Sequence, residues 1–208
     1  MEFFFSMSGI LAALFIGVIS PGPSFVLVAQ TAMSASRRNG VAAALGMGVG
    51  AVFFASLVLV GLHTVLLRAP VLFTVLKVLG GAYLIYLAIR IWRGATASLQ
   101  LDEVAGRREK SWTKSFLTAL GTMLSNPKAM VQYGAIFAAL LPHDVSPSQS
   151  ILLAAFIFLL EAGWYTTVAV VLSSPLPRNT YLKAKTGIDR CTGLVMGALG
   201  VKLLAALR

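Results

Sequence analysis

Two short motifs, Ser20-Pro21-Gly22-Pro23 and Asn126-Pro127-Lys128, fall in the middle of long apolar stretches and could bind a charged small molecule there. A proline removes the hydrogen bond to the carbonyl four residues earlier, so Pro21, Pro23 and Pro127 release the carbonyls of Gly17, Ile19 and Met123. Each motif also has the form of a helix start. Asn126 is an N-cap before a proline at the first helical position, and Ser20-Pro21 or Gly22-Pro23 reads the same way. Free N–H groups and the positive end of a helix dipole at such a start attract a carboxylate without an arginine. Two ionisable groups share this depth: Lys128 and, in a later apolar stretch, Glu161. At the bilayer centre such a group costs at least about 2.5–3.5 kcal/mol, so it faces a cavity or a partner. By charge, Glu161 and Lys128 are each other's natural partners. They form either a static pair fastening two helices, or a working pair in which Glu161 exchanges a proton or meets a substrate ammonium while Lys128 balances charge. Burial and a nearby cation act on a carboxylate's proton affinity in opposite senses, so residue types leave both roles open.

The elements that must position these groups are membrane helices. The chain is 58% hydrophobic and 12% charged with mean hydropathy +0.85, a composition that marks an integral membrane protein. The start, Met-Glu-Phe-Phe-Phe-Ser, has neither a basic region nor a cleavage site followed by polar sequence, so the first apolar stretch is expected to be a span. About 20 apolar residues cross a bilayer, and six stretches approach that length, near 9–29, 41–62, 71–89, 115–141, 150–173 and 188–207. The last is interrupted by Asp189 and Arg190, which leaves five spans as an alternative.

Basic residues give the orientation. The first, third and fifth connections carry twelve Lys and Arg and the even ones only Arg68, which places the odd connections in the cytoplasm and both termini outside. The expected fold is an all-α polytopic membrane protein, a single domain over 1–208 with a first three-helix repeat at 1–91, a cytoplasmic linker at 92–114 and a second repeat at 115–208. An odd number of spans in each half gives a 3+3 inverted repeat with helices 1 and 4 broken, and paired broken helices point to a transporter's binding site.

Other residues have plainer readings. Gly46 and Gly50, and Gly193 and Gly197, have the small-xxx-small spacing of close helix packing; the first pair, with Gly48 beside it, could also admit substrate backbone. Glycine-rich faces allow a homodimer. Trp92, Trp112, Tyr83, Tyr86 and Tyr181 are expected as interfacial anchors, Trp164 as a packing residue over the cavity, and Cys191 as a packing residue. A single cysteine excludes an intrachain disulfide, and no cluster of carboxylates, histidines and thiols suggests a metal or other cofactor. The two histidines, His63 and His143, are assigned to outer connections, with no nucleophile, base and orienting group to suggest an enzyme. The net charge of +10 sits in short connections without interleaved aromatics, which argues for orientation in a bilayer and against nucleic acid.

The chain resembles the lysine exporter superfamily, and more closely its homoserine, threonine and homoserine-lactone efflux branch. The matching pieces are Ser20-Pro21-Gly22-Pro23; Arg38-Asn39-Gly40 through Gly46-Met47-Gly48-Val49-Gly50; Leu76-Lys77-Val78-Leu79-Gly80-Gly81-Ala82-Tyr83-Leu84; Phe116-Leu117 with Leu124-Ser125-Asn126-Pro127-Lys128; and Asp189-Arg190 with Gly193, Gly197 and Leu199-Gly200. The resemblance implies an inner-membrane secondary exporter of amino acids or close derivatives driven by proton motive force, with Glu161 standing where many relatives carry an aspartate. On that footing the expected substrate site is Ser20, Pro21, Gly22, Pro23, Gly46, Gly50, Asn126, Pro127 and Lys128, with Glu161 for coupling. One deep cation and one deep anion suit a zwitterion such as threonine or homoserine better than lysine. A membrane scaffold and an exporter of a metal or other small ion are the alternatives.

Overall fold

The computed structural model describes residues 2–68, 70–97, 111–142, 144–171 and 175–205, and these form eight helices. In chain order they are α1 (Glu2–Ile19), α2 (Pro23–Ser34), α3 (Arg37–Arg68), α4 (Pro70–Gly94), α5 (Trp112–Leu124), α6 (Pro127–Leu140), α7 (Pro147–Val171) and α8 (Pro175–Ala205). No strand occurs among the described residues.

Both proline motifs interrupt a helix. Between α1 and α2 the axis bends by 59°. Gly22 is extended at the N-cap of α2 (φ −152°, ψ −169°) and Pro23 opens the helix, because a missing N–H costs nothing in the first turn. Of the two readings of the first motif, Gly22-Pro23 is therefore the helix start. At the second motif α5 ends on Leu124, and Asn126 caps α6 by accepting from the Lys128 amide at 3.0 Å.

The bundle is apolar on its outside as well as through most of its core, with a minority of polar residues buried among the helices. Buried polar residues include Ser20, Ser24, Asn126, Gln132, Glu161, Lys185 and Asp189, while Phe5, Val60, Val71 and Ile151 are all more than 70% exposed. Such a distribution suits hydrocarbon outside and polar contacts inside. Among the described residues, two helical segments are long and apolar enough to cross a membrane, Arg37–Gly61 and Pro147–Val171, and the bent pair Phe3–Ile19 with Pro23–Ser34 adds a third by length and composition.

Glycine permits the closest crossings. α3 packs chiefly on α7 and α5, and α4 on α8. A Cβ on Gly46 would press on the Phe116 carbonyl of α5, one on Gly50 would lie 2.7 Å from Met123 Cγ, and one on Gly48 would lie 2.9 Å from Ala162 Cβ of α7. Gly200 and Gly81 meet at the α8–α4 crossing, and Gly193 faces the Ala88 carbonyl of α4. The glycine faces expected to serve a homodimer thus pack largely within the chain.

Several expectations change. α4 continues through Trp92 and Arg93 to Gly94, so the linker is shorter than 92–114 at its start, and most of it (98–110) lies outside the described residues. His63 belongs to α3 rather than to a connection, while His143 lies outside the described residues. α8 runs unbroken through Asp189 and Arg190, because Asp189 is neutralised from within by Lys185 one turn earlier, at 2.8 Å. Cys191 is exposed rather than packed.

Replacing Gly46 by Val forces α3 away from α5 and should lower stability by about 1–3 kcal/mol, the usual cost of overpacking. The same change at Gly61, where a Cβ meets open space, should leave the melting temperature of the detergent-solubilised protein nearly unchanged. Equal losses at both sites would remove close packing as the cause.

Candidate functional site

The two breaks meet. Asn126 Nδ2 donates to Ser24 Oγ at 3.1 Å, and Lys128 Nζ donates to the carbonyls of Gly17 and Ser20, each at 3.4 Å. Around them a cavity of about 40 Å³ is lined by Gly17, Ser20, Gly22, Ser24, Asn126, Lys128, Gln132, Tyr133, Glu161 and Tyr165, among others. One water needs roughly 10–15 Å³ of such volume, so this conformation holds a few waters and must widen to take an amino acid.

The first break leaves the last carbonyls of α1 without helical partners, and several of them find another. Gly17 and Ser20 take Lys128, Ile19 accepts from the Tyr181 hydroxyl at 2.8 Å, and Ile16 accepts from Thr192 Oγ1 at 3.0 Å. At the second break the Met123 carbonyl accepts from the Asn126 amide at 3.1 Å. All three carbonyls expected to be freed by proline are therefore satisfied. Lys128 also sits at the negative end of the α1 dipole, the favourable end for a cation.

The two helix starts are not equivalent. Asn126 caps α6, whereas no side chain caps α2. Gly22, Ser24 and Phe25 at that uncapped start line the cavity. The anion-attracting start is that of α2, beside Lys128: a Cβ on Gly22 would lie 3.8 Å from Lys128 Nζ.

The expected ion pair between Glu161 and Lys128 is not formed. Glu161 Oε1 accepts instead from the Tyr133 hydroxyl at 3.0 Å, and its Oε2 is buried without a hydrogen-bond partner. Lys128 is held away by the α1 carbonyls, which compete for its three donors. Both groups nevertheless face the same cavity.

Of the other sequence-derived candidates, Ser20, Gly22, Asn126 and Lys128 line the cavity, and Pro21, Pro23 and Pro127 shape its walls through the breaks. Gly46 and Gly50 do not line it; they let α5 approach α3, and Gly50 backs the cavity wall through Met123. Trp164 packs edge-on against Phe15 with centroids 6.0 Å apart and does not line the cavity. Sequence reasoning missed Tyr133, Gln132, Tyr165 and Ser24, which occur at intervals of helical turns and carry no motif. It also misassigned Tyr181, whose ring stacks on Phe25 at 4.9 Å while its hydroxyl caps Ile19. Among the described residues, no group of three or more His, Cys, Asp or Glu could hold a metal.

An apolar exterior and paired helix breaks that meet at a small, partly polar internal cavity fit a multi-pass helical membrane protein. The sequence model of the LysE type translocator family matches residues 15–207, and the chain belongs to that family. It is therefore a translocator and not an enzyme. It is 31% identical over 190 residues to the threonine efflux protein of Escherichia coli (strain K12), covering 91% of this chain and 92% of that one. The threonine efflux protein of Salmonella typhi is 32% identical over the same length, with the same coverage. An uncharacterized membrane protein of Pseudomonas aeruginosa is 30% identical over 204 residues, covering 95% of this chain and 93% of that protein. No solved structure matches.

Replacing Tyr181 by Phe keeps the stacked ring but strands the Ile19 carbonyl. Stability should fall by about 1–3 kcal/mol, read as a lower melting temperature in detergent. An unchanged melting temperature would mean that this carbonyl finds another partner.

Proposed function

We propose that this protein is a secondary exporter of neutral amino acids or close derivatives such as threonine, homoserine or homoserine lactone, working in the inner (plasma) membrane. The observation that carries the reading is the cavity at the two breaks. It offers a cation and an uncapped helix start for a carboxylate, and from α7 an unpaired Glu161 oxygen for an ammonium. The family match and the threonine efflux relatives support both the efflux direction and this substrate class. Ser20, Pro21, Gly22, Pro23, Asn126, Pro127 and Lys128 form the substrate site in this reading, with Glu161 coupling transport to protons. Gly46 and Gly50 set helix spacing behind it.

The same reading takes 1–208 as a single domain of six spans, made of α1/α2, α3 and α4 in one half and α5/α6, α7 and α8 in the other. An exchange of halves would make α1 equivalent to α5, α2 to α6, α3 to α7 and α4 to α8, and the reciprocal contacts of α1 with α6 and α2 with α5 are compatible with an inverted 3+3 repeat. The basic connections put both termini outside. α8, at 31 residues and about 46 Å, is longer than a hydrocarbon core of roughly 30 Å. Its Pro175-side end, which carries Arg178 and Lys183, accordingly extends into the cytoplasm.

Reconstituted protein with an imposed pH gradient should move threonine or homoserine in preference to lysine. Pro21→Ala with Pro127→Ala, which removes one proline from each break, should reduce flux by at least about tenfold, the scale of misplacing binding groups by a small distance. Glu161→Gln should lose gradient-driven flux but keep substrate exchange. Lysine moved best, or normal flux in the double variant, would defeat the site assignment.

In cells, single cysteines at Ala97 and Lys183 should label from the cytoplasmic face and one at Pro147 from outside. Labelling of Ala97→Cys from outside intact cells would reverse the orientation.

A further inference from the structure

Asp189 lies outside the cavity lining yet is bound to it. Ser20 Oγ, at the first break, donates to Asp189 Oδ1 at 2.8 Å, and Asp189 Oδ2 pairs with Lys185 Nζ at 2.8 Å. Lys185 Nζ reaches on to the carbonyls of Gly94 and Ala95 at the end of α4, both at 3.2 Å, and Thr186 Oγ1 donates to the same Ala95 carbonyl at 3.2 Å. Ser20, Asp189 and Lys185 are all at least 92% buried. One continuous polar chain therefore runs from the cavity wall, through α8, to the point where the α4–α5 connection begins.

The chain is anchored at one end by the Ser20 hydroxyl at the break in α1 and at the other by the C-terminal carbonyls of α4. Lys185 reaches those carbonyls, and Asp189 reaches Ser20, only while α1, α4 and α8 keep their present spacing. Ser20 belongs to both networks, giving its hydroxyl to Asp189 and its carbonyl to Lys128.

We propose that Asp189 is a positioning residue for the Ser20–Lys128 side of the site, and that the contacts this α8 pair makes to its neighbours, Asp189 to Ser20 and Lys185 to the Gly94 and Ala95 carbonyls, are the latch closing the cavity toward the end of α4. Opening the site on that face breaks the Lys185 contacts to α4 and releases Ser20, while the Lys185–Asp189 pair stays together on one turn of α8. The interhelical contacts are thus exchanged during the transport cycle rather than kept as a permanent fastening. The proposal rests on the reading of the cavity as the transport site, but its test does not depend on flux.

In full-length protein with Cys191 replaced by Ser, a reporter cysteine at Ala129, which lines the cavity, is labelled with a membrane-impermeant thiol reagent in inside-out and right-side-out vesicles. A separate Ala97→Cys protein identifies the face that carries the α4–α5 connection. Lys185→Gln should raise the labelling rate by about tenfold, the worth of one or two interhelical polar bonds, and only from the face where Ala97→Cys labels. Lys185→Arg should leave the rate near that of the parent. Thr186→Val loses only the hydroxyl bond to Ala95, keeps every charge, and should give a smaller rise from the same face; it carries the test if Lys185→Gln is not recovered folded. A rise from the opposite face, or no rise in a folded variant, overturns the latch. If the latch result holds while no amino acid is moved, it is the substrate assignment that fails.

Discussion

The structure depends on one constraint: carbonyls released by proline inside an apolar bundle must find donors, because hydrocarbon supplies none. Pro21 and Pro23 have no N–H, so α1 ends at Ile19 with its last turn of carbonyls open. Lys128, Tyr181 and Thr192 supply the missing donors from α6 and α8. Satisfying them brings both halves of the chain to the first break. Gly17 allows the α6 side of this approach, since a Cβ there would collide with the Gln132 amide.

The same break sorts charge. It presents the negative end of the α1 dipole and the positive end of the α2 dipole within one short stretch. The cation Lys128 sits at the first, and the second is left without a side-chain cap beside the cavity. Asn126 closes the α6 start, so the two motifs, similar in sequence, divide the work: one is capped and supplies the ammonium, the other is open and supplies amide groups. Glu161 completes the set from α7, with one oxygen held by Tyr133 and the other unpartnered.

Much of this was legible in the chain. Proline at known helix positions specifies both the break and the carbonyls it frees, and apolar stretches with asymmetric basic connections specify membrane helices, because these effects are local in sequence. The donors that answer the freed carbonyls were not legible. Tyr181 lies 162 residues from Ile19 and Asp189 lies 169 from Ser20, and no local pattern marks a residue whose partner is set by helix packing. Asp189 and Arg190 seemed to weaken the last span for the same reason. A charge count along the sequence takes each ion alone, whereas Lys185, one turn away and equally buried, neutralises the carboxylate inside the bundle. The Glu161–Lys128 pairing went wrong in the opposite way. Opposite charges at similar depth were matched to each other, but backbone carbonyls at a helix end compete well for an ammonium, and a tyrosine hydroxyl needs little room to reach a carboxylate.

Lys128 is therefore engaged by backbone rather than by a carboxylate, and this bears on how the cavity can respond to an anion. A carboxylate arriving at the α2 start draws on the same ammonium that holds the Gly17 and Ser20 carbonyls. Lys128 has three donors, two already committed at 3.4 Å, which is long for a charge-assisted bond. A carboxylate oxygen nearer 2.8 Å outcompetes contacts of that length. Taking up the anion then loosens the end of α1 from α6, and the freed carbonyls need water or a shifted partner. In a cavity of about 40 Å³, both the ligand and that water require the walls to move apart. In the proposed substrate site, binding and widening are thus coupled through the hydrogen bonds of a single lysine.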